Sequence, residues 1–190
     1  EKLGLLDKKI TNAIQMAAEE FIEGRFDDEY DLDLFQAGAG TPFNMNANEI
    51  IANRANEILG GKRGTYEFVH PNNHVNRSQS SNDVIPTAIR LTILEMAPQL
   101  IHELKKLTAG LKKNSQKFSK ILKTGRTHLQ DAVPIMLGQE FGAYAAALKK
   151  DVQTLKSALK KLHEINLGGT ALGTGINTHQ QYKKIITKIL

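Results

Sequence analysis

Two long stretches of the chain repeat apolar residues at alternating intervals of three and four, the spacing of helices that pack lengthwise against other helices. The first predicts a helix from about residue 84 to residue 123, kinked or broken at Pro98. Its apolar seam is Leu100, Leu104, Leu107, Leu111, Asn114, Phe118 and Ile121. The second predicts a helix over about 134–165, with the seam Ala145, Leu148, Val152, Leu155, Leu159 and Leu162. Because a short segment joins them, we expect antiparallel members of a bundle.

Shorter amphipathic patterns occur toward both ends of the chain. The N-terminal pattern predicts a helix that ends near Gly24, and a second helix is expected over 49–59, before Gly60 and Gly61. Between them lies a connection rich in glycine and asparagine, and YKKIITKIL closes the sequence as a helical pattern. Strand-period alternation is scarce. The predicted fold class is therefore all-α, with a helical N-terminal domain over 1–82 and the first part of a long-helix bundle over 83–190.

Composition narrows the class of protein. The chain has no cysteine, which excludes disulfides and thiolate metal sites, and no uninterrupted apolar run approaches the ~18 residues of a membrane span. Residues 61–190 carry 20 Lys and Arg against 8 Asp and Glu. Most of these cations are lysines spaced between apolar helix positions, which is typical of solvated helix faces. We expect a cytoplasmic protein with neither a nucleic-acid nor a membrane partner.

Four polar segments carry the candidate chemistry: Gly38–Asn48, His70–Asp83, Thr124–Pro134 and Gly168–Asn177. They are rich in neutral donors, and backbone N–H groups at the start of the first long helix would add partial positive charge. Such groups could surround a small carboxylate. The side chains concerned are Thr41, Asn44, Asn46, Ser78, Ser80, Ser81, Asn82, Thr127 and His128.

The predicted helix lengths constrain how these segments meet. At ~1.5 Å per residue, the first long helix spans ~60 Å and separates His70–Asp83 from Thr124–Pro134. The second returns Gly168–Asn177 to the first end. A site that combines both ends therefore requires two chains packed head to tail, which predicts a symmetric homo-oligomer with shared sites.

Simpler roles remain open for the same residues. Ser80 and Asp83 could act only as helix N-caps. His70 and His74 could bind a metal if helical, but Pro71 favours a loop, so no metal site is predicted. His128 could donate to a carboxylate, relay a proton or make a structural hydrogen bond. The glycine-rich segments lack the strand-then-helix context of a dinucleotide site, so no cofactor is predicted.

Four motifs in order resemble the aspartase and class II fumarase superfamily: GAGTPFNMNANEIIANRA, HPNNHVNRSQSSND, GRTHLQDAVPIMLGQEF and GGTALGTGIN. The resemblance implies a homotetramer whose central bundle has twenty long helices, five from each subunit. Each active site would combine three subunits. It further implies an anti elimination that releases fumarate from a small dicarboxylate.

The resemblance also implies individual roles. Thr41, Ser80, Ser81 and Asn82 would bind substrate, and a neighbouring subunit would supply the catalytic Thr127 and His128. His70, Asn72 and Asn73 match a second, non-catalytic anion site, although Asn73 stands where aspartate is common. The family's base is a serine on a Gly-Ser-Ser loop further along the chain, followed by a substrate-binding lysine. We therefore expect this sequence to be roughly the first half of a subunit and inactive alone.

The residues divide between two activities of the family. Ala39 in GAGT, the LQDAVP segment and Asn166 favour elimination of ammonia from L-aspartate. Ser81 and the HPN segment instead match enzymes that hydrate fumarate to L-malate, since ammonia-lyases usually carry threonine at the position of Ser81. We favour the ammonia-lyase and keep the hydratase as the alternative. A helical scaffold without activity is a third possibility, disfavoured by the presence of Ser80, Asn82, Thr127 and His128 together.

Overall fold

A computed structural model describes residues 1–35 and 37–190. The described helices are α1 (Lys8–Ile22), α2 (Thr41–Ile58), α3 (Ser81–Lys117), α4 (Leu137–Lys161) and α5 (Tyr182–Ile189), with a 3₁₀ turn at Asp27–Glu29, a π-helical turn at Pro71–Val75, and strands β1 (Leu122–Thr127) and β2 (Gln130–Met136). The predominance of helix confirms the predicted class. The chain forms two compact units, Glu1–Ile89 with Ile165–Leu190, and Arg90–Glu164. The predicted domain boundary after residue 82 stays a prediction.

Small residues form the core of the first unit. Ala13 and Ala17 of α1 are buried with Ala52 and Ala55 of α2, and Val69 completes the cluster. Alanine side chains let two helix backbones approach closely, and larger aliphatic side chains such as Ile10, Ile14 and Ile51 pack around them. The predicted helix that ends near Gly24 is confirmed as α1. Its first turn is capped by Asp7, which accepts from the N–H of Lys9 at 2.8 Å.

Helix α2 begins eight residues earlier than the sequence predicts, so the supposed connection over 41–48 is helical. Pro42 suits the first turn, where its missing N–H is not needed. Gly40 precedes the helix with φ +85°, and a Cβ there would lie 2.9 Å from Cγ2 of Ile85. A glycine is therefore required both for the backbone angle and for the close approach to α3.

Helix α3 is continuous over 37 residues, ~55 Å at the usual rise, and Pro98 does not break it. It begins three residues before and ends six residues before the predicted bounds. The predicted seam is only partly right, because Leu100 and Leu107 are each 53 % exposed. The more buried positions follow a shifted seam: Leu94, Ala97, Ile101, Leu104, Thr108, Leu111, Ser115 and Phe118.

A second apolar stripe of α3 is left uncovered in the chain. We call it the exposed face of α3, and it comprises Ile89, Ile93, Met96, Leu100 and Leu107. By length and composition alone α3 could cross a membrane, since one 18-residue window is sufficiently apolar and only 11 % of it is buried. Arg90 and Glu95 interrupt this stretch. The guanidinium of Arg90 donates to the carbonyls of Lys161 and Glu164.

The second unit contains a β-hairpin where the sequence predicts a loop over 124–134. Strands β1 and β2 are antiparallel, and Thr127 pairs with Gln130. The two residues between them, His128 and Leu129, form the turn with φ of +48° and +63°. Both strands are mostly exposed. Because neither face is buried, the strands need no alternation of apolar and polar residues, and the sequence therefore lacks the usual strand signal.

Helix α4 begins at Leu137, three residues after the predicted start, and packs closely on the end of α3. A Cβ on Gly138 would lie 2.8 Å from the backbone N and Cα of Ser119 and closer still to the carbonyl oxygen of Ser115. The hydroxyl of Ser115 donates to the carbonyl of Gly138 at 2.6 Å. The predicted α4 seam is confirmed. Ala145 and Val152 are buried, and its leucines are half-buried.

The π-helical turn replaces the loop that the sequence predicts around Pro71. Nδ1 of His70 accepts from the N–H groups of Asn72 and Asn73 at 3.2 and 3.4 Å. Nδ1 of His74 accepts from the N–H of His70 at 2.9 Å. Both Nδ1 atoms act as acceptors, so each neutral ring carries its proton on Nε2.

A buried asparagine fixes the approach to this turn. Asn56 is fully buried and donates to the carbonyls of Ala52 and Val69 at 2.8 and 2.7 Å. Its own side-chain oxygen accepts from the N–H groups of Phe68 and Val69 at 2.9 and 3.1 Å. The amide thus replaces backbone partners for a segment that is neither helix nor strand, and holds residues 68–69 on α2.

Two glycines of α4 give a matched test of the packing on α3. We expect Gly138→Ala to lower the free energy of unfolding by ~2–3 kcal/mol, since its methyl group meets rigid backbone. Gly142→Ala meets only the movable hydroxyl of Ser115, at 3.0 Å, and gains up to ~1 kcal/mol of helix propensity. Urea unfolding of both variants checks the difference, and equal midpoints would contradict the close approach at Gly138.

The π-helical turn makes stability depend on pH through His74. Burial first, and then the charges of His70 and Arg77, lowers the pKa of His74. The unfolded chain therefore binds this proton before the folded chain does, and the free energy of unfolding falls as pH drops below about 6.5. His74→Asn keeps an acceptor at the same place and cannot titrate, so we expect a smaller loss of stability between about pH 7.5 and 5.5.

The control for this experiment is His102→Asn, because the side chain of His102 is 70 % exposed. It should retain the pH dependence of the unaltered chain in urea titrations. A His74→Asn variant whose unfolding free energy falls as steeply as that of the control would show that His74 is not the responsible group.

Candidate active site

One cavity of the first unit gathers residues from three of the four polar segments. Its volume is about 510 Å³ and it is open to solvent. It is lined by Thr41, Asn76, Ser78, Gln79, Ser80, Ser81, Asn82, Thr170, Ala171, Ile176 and Asn177. None of these described lining residues has an ionisable side chain. The cavity therefore offers hydroxyl and amide groups, which can donate to a carboxylate but do not titrate near neutral pH.

The start of α3 presents Ser80, Ser81 and Asn82 to the cavity. Ser80 caps the helix, because its hydroxyl oxygen accepts from the N–H of Asn82 at 3.2 Å. Asp83 completes a capping box by accepting from the N–H of Ser80 at 2.9 Å. The predicted N-cap role is thus confirmed for Ser80, whereas Asp83 lies inside the helix at the third position and is not itself the N-cap.

The helix-start N–H groups are mostly engaged within the chain. The N–H groups of Asp83 and Val84 donate to the carbonyl of Ser80, and that of Asn82 donates to its hydroxyl. The expected partial positive charge at the helix start is compatible with these bonds, because the N–H groups of residues 82–84 keep their dipoles while they donate within the chain. The hydroxyls of Ser80 and Ser81 can still donate.

Asn44 contacts two residues of the cavity lining, Ser81 and Asn76. It is buried, and its amide nitrogen donates to the hydroxyl of Ser81 at 2.9 Å and to the side-chain oxygen of Asn76 at 3.3 Å. The residue is absent from the cavity lining. Its predicted contact with substrate stays a prediction, whereas its contact with Ser81 fixes the direction in which that hydroxyl can point.

Residues 168–177 form one wall of the cavity. The sequence predicts this placement, because the second long helix returns the chain to the end where α3 begins. The side chain of Asn82 donates to the carbonyl of Ala171 at 2.9 Å, and that of Asn166 donates to the carbonyl of Asn82 at 2.9 Å. Thr170 lies in this wall with φ +57°. Its hydroxyl oxygen is buried without a partner among the described residues. The sequence motif points to this segment but not to its individual residues, because a glycine-rich run does not reveal which side chains face inward.

The remaining predicted residues lie elsewhere. Thr127 and His128 are exposed in the hairpin of the second unit. Asn72 and Asn73 lie in the π-helical turn of the first unit and His70 caps it, and all three are outside the cavity lining. Asn46 is also absent from the lining, and its side-chain oxygen is buried without a partner among the described residues. The functional roles of these residues stay predictions.

The chain is similar to known proteins along its whole length. A family model described as lyase matches residues 1–190. Aspartate ammonia-lyase of a Bacillus species is 47 % identical over 189 residues, covering 100 % of this chain and 40 % of that protein. Class II fumarate hydratase of Nitrosomonas europaea is 51 % identical over 183 residues, covering 96 % and 40 %.

A solved structure also matches the chain over most of its length. The crystal structure of fumarate lyase:delta crystallin from Brucella melitensis superposes with a TM-score of 0.87 at 48 % identity, covering 96 % of this chain and 40 % of that one. The chain thus spans about 40 % of the length of the relatives it matches. With a helical architecture and a match along its whole length, it belongs to the lyase family that includes aspartate ammonia-lyases and class II fumarate hydratases.

Proposed function

We propose that the complete protein containing this chain is an aspartate ammonia-lyase, which eliminates ammonia from L-aspartate to give fumarate. The observation that carries the proposal is the cavity in which Thr41, Ser80, Ser81 and Asn82 meet. This cavity has room for a small dicarboxylate, and its neutral donors suit carboxylate oxygens. A 47 % identical relative is named for this activity.

The proposed reaction places its largest charge change on one carboxylate. A base removes the Cβ proton, and the electron pair of that C–H bond spreads onto the adjacent carboxylate as an enediolate-like species. The C–N bond then breaks, and the nitrogen leaves with its electron pair as ammonia. Fixed donors such as Ser80 and Asn82 would stabilise the doubly charged species more than the substrate, and one such donor is typically worth ~3–4 kcal/mol. We propose that the base is the serine of the expected downstream loop.

Proton transfer in the proposed reaction needs ionisable groups, and the described cavity lining has none. We propose that Thr127 and His128 of another copy of the chain complete it, within a homotetramer. Two observations support this assembly. The exposed face of α3 offers an apolar stripe that a second long helix could cover. The hairpin turn also projects Leu129, which is 95 % exposed, beside His128. Arg90 and Glu95, which interrupt the apolar stretch of α3, favour a protein partner over lipid.

The hydratase remains the second candidate, because one site residue favours it. Ser81 occupies the cavity where threonine is usual in the ammonia-lyases, and a 51 % identical relative is named class II fumarate hydratase. The two reactions share the enediolate-like species and differ in the leaving group, which is water in the hydratase. The same donors therefore serve both reactions. Ser81, whose hydroxyl accepts from the amide of Asn44, is the lining residue that bears on the choice between ammonia and water as leaving group.

We also propose that the π-helical turn is a second anion site. The Nδ1 atom of His70 already accepts two backbone N–H groups, so its Nε2–H is left to donate. The half-buried ring stands beside Asn72 and Asn73. The amides of Asn72 and Asn73 and the imidazole of His70 are donors of the same kind as those of the cavity. None of these three residues lines the cavity that includes the wall of residues 168–177.

The substrate decides between the candidate activities. The full-length protein that contains this chain should form fumarate from L-aspartate, detected by the ultraviolet absorbance of fumarate, and should form little from L-malate. Fumarate from malate alone would overturn the ammonia-lyase in favour of the hydratase. Turnover of neither substrate would favour a scaffold without activity.

Mixed oligomers test whether sites are shared. Ser81→Ala and His128→Asn should each inactivate the full-length protein, since one removes a donor and the other an ionisable group. Random mixing of the two variants should restore roughly a quarter of the activity, because some sites then combine unaltered Ser81 and His128 from different subunits. Each variant mixed with itself is the control, and failure of the mixture to recover activity would contradict a shared site.

A further inference from the structure

The most unusual group in the first unit is the carboxylate of Asp83. Its side chain is fully buried, and none of the ion pairs among the described residues involves it. An unpaired buried charge is costly unless several donors hydrogen-bond to it. The donors among the described residues are backbone N–H groups, which cannot move away without moving the chain itself.

The two oxygens of Asp83 join two different parts of the cavity. Oδ1 accepts from the N–H of Ser80 at 2.9 Å, in the capping box. Oδ2 accepts from the N–H groups of Gly168 and Thr170 at 3.0 and 2.8 Å. One rigid carboxylate thus sets the distance between the donors at the start of α3 and the wall formed by residues 168–177.

Hydrogen bonds join this wall to the start of α3. In the described part of the chain, four hydrogen bonds join residues 166–171 to the start of α3, and they end on Asn82 or Asp83. Two of the four belong to Asp83, and these are the charge-assisted ones, which are roughly twice as strong as neutral bonds. Thr170 is also held at φ +57°, a conformation that its neighbours must enforce.

We propose that Asp83 is a positioning residue for substrate: its carboxylate holds the Gly168–Thr170 wall against Ser80, so that hydroxyl and amide groups on both sides of the cavity meet one dicarboxylate. The inference rests on the proposed function, since it assigns the cavity to a dicarboxylate. Asp83 does not touch substrate. It acts through Ser80 and Thr170, both of which line the cavity.

Two substitutions separate the two halves of the clamp from simple loss of stability. Asp83→Ala removes both acceptors. Asp83→Asn keeps one acceptor and turns an NH₂ group toward an N–H, so it breaks one side only. Thr87→Val is the matched control. Thr87 is buried one turn further along α3, and its hydroxyl donates to the carbonyl of Asp83 at 2.7 Å without touching the wall.

In the full-length protein we expect Asp83→Ala to lower kcat/KM for the preferred substrate about 100-fold, the typical effect of misplacing a site by ~1 Å. Asp83→Asn should fall between Asp83→Ala and the unaltered protein, and Thr87→Val should stay within about threefold. The inference fails if Thr87→Val loses as much activity as Asp83→Ala at a similar loss of thermal stability. It also fails if Asp83→Ala and Asp83→Asn both keep full activity.

Amide hydrogen exchange tests the clamp without any activity. The N–H groups of Gly168 and Thr170 should exchange faster in Asp83→Ala than in Thr87→Val. If the unaltered protein turns over neither aspartate nor malate, the proposed function fails while this exchange result still supports the clamp. Exchange at Gly168 and Thr170 that is unchanged in Asp83→Ala would overturn the clamp whatever the substrate. Faster exchange with full activity would overturn the positioning role.

Discussion

A buried carboxylate whose partners, among the described residues, are backbone N–H groups constrains the position of two segments of the first unit. Asp83 cannot be rehydrated or neutralised by a nearby cation, so the chain must bring three N–H groups to it. Those groups come from residue 80 and from residues 168 and 170, two segments that are far apart in sequence. The start of α3 and the glycine-rich segment therefore take one relative position, and the cavity between them has a defined width.

Asparagine side chains extend the same principle to the rest of the site. Asn44 holds the hydroxyl of Ser81, Asn56 holds the segment leading to His70, and Asn82 holds the carbonyl of Ala171. Each amide supplies both donors and acceptors and carries no charge, so it can be buried where backbone groups lack helical or sheet partners. Apart from the buried Asp83, the site is thus supported by a neutral network that leaves its hydroxyl donors available for an anion.

The sequence predicts the helices well where their packing is local, and less well where distant residues decide. The α4 seam is confirmed, since its leucines are half-buried and all lie in the second unit. The start of α2 is missed because Asn44 is stabilised in a helix by Ser81, 37 residues away. The hairpin is missed because its strands bury neither face. The donors at Ser80–Asn82 could be named from sequence, but the inward residues Thr170 and Asn177 depend on a clamp that no periodicity reveals.

The distribution of ionisable groups links chemistry to assembly. The cavity lining carries hydroxyls and amides, which can stabilise a developing charge but cannot shuttle a proton at neutral pH. His128, by contrast, is exposed on a two-residue turn whose positive φ angles cost energy for residues other than glycine. An exposed, strained turn contributes little to the stability of its own unit. We infer that the turn contacts another copy of the chain. In that contact Leu129 becomes buried, and His128 lies beside the hydroxyl and amide donors of the other copy's cavity.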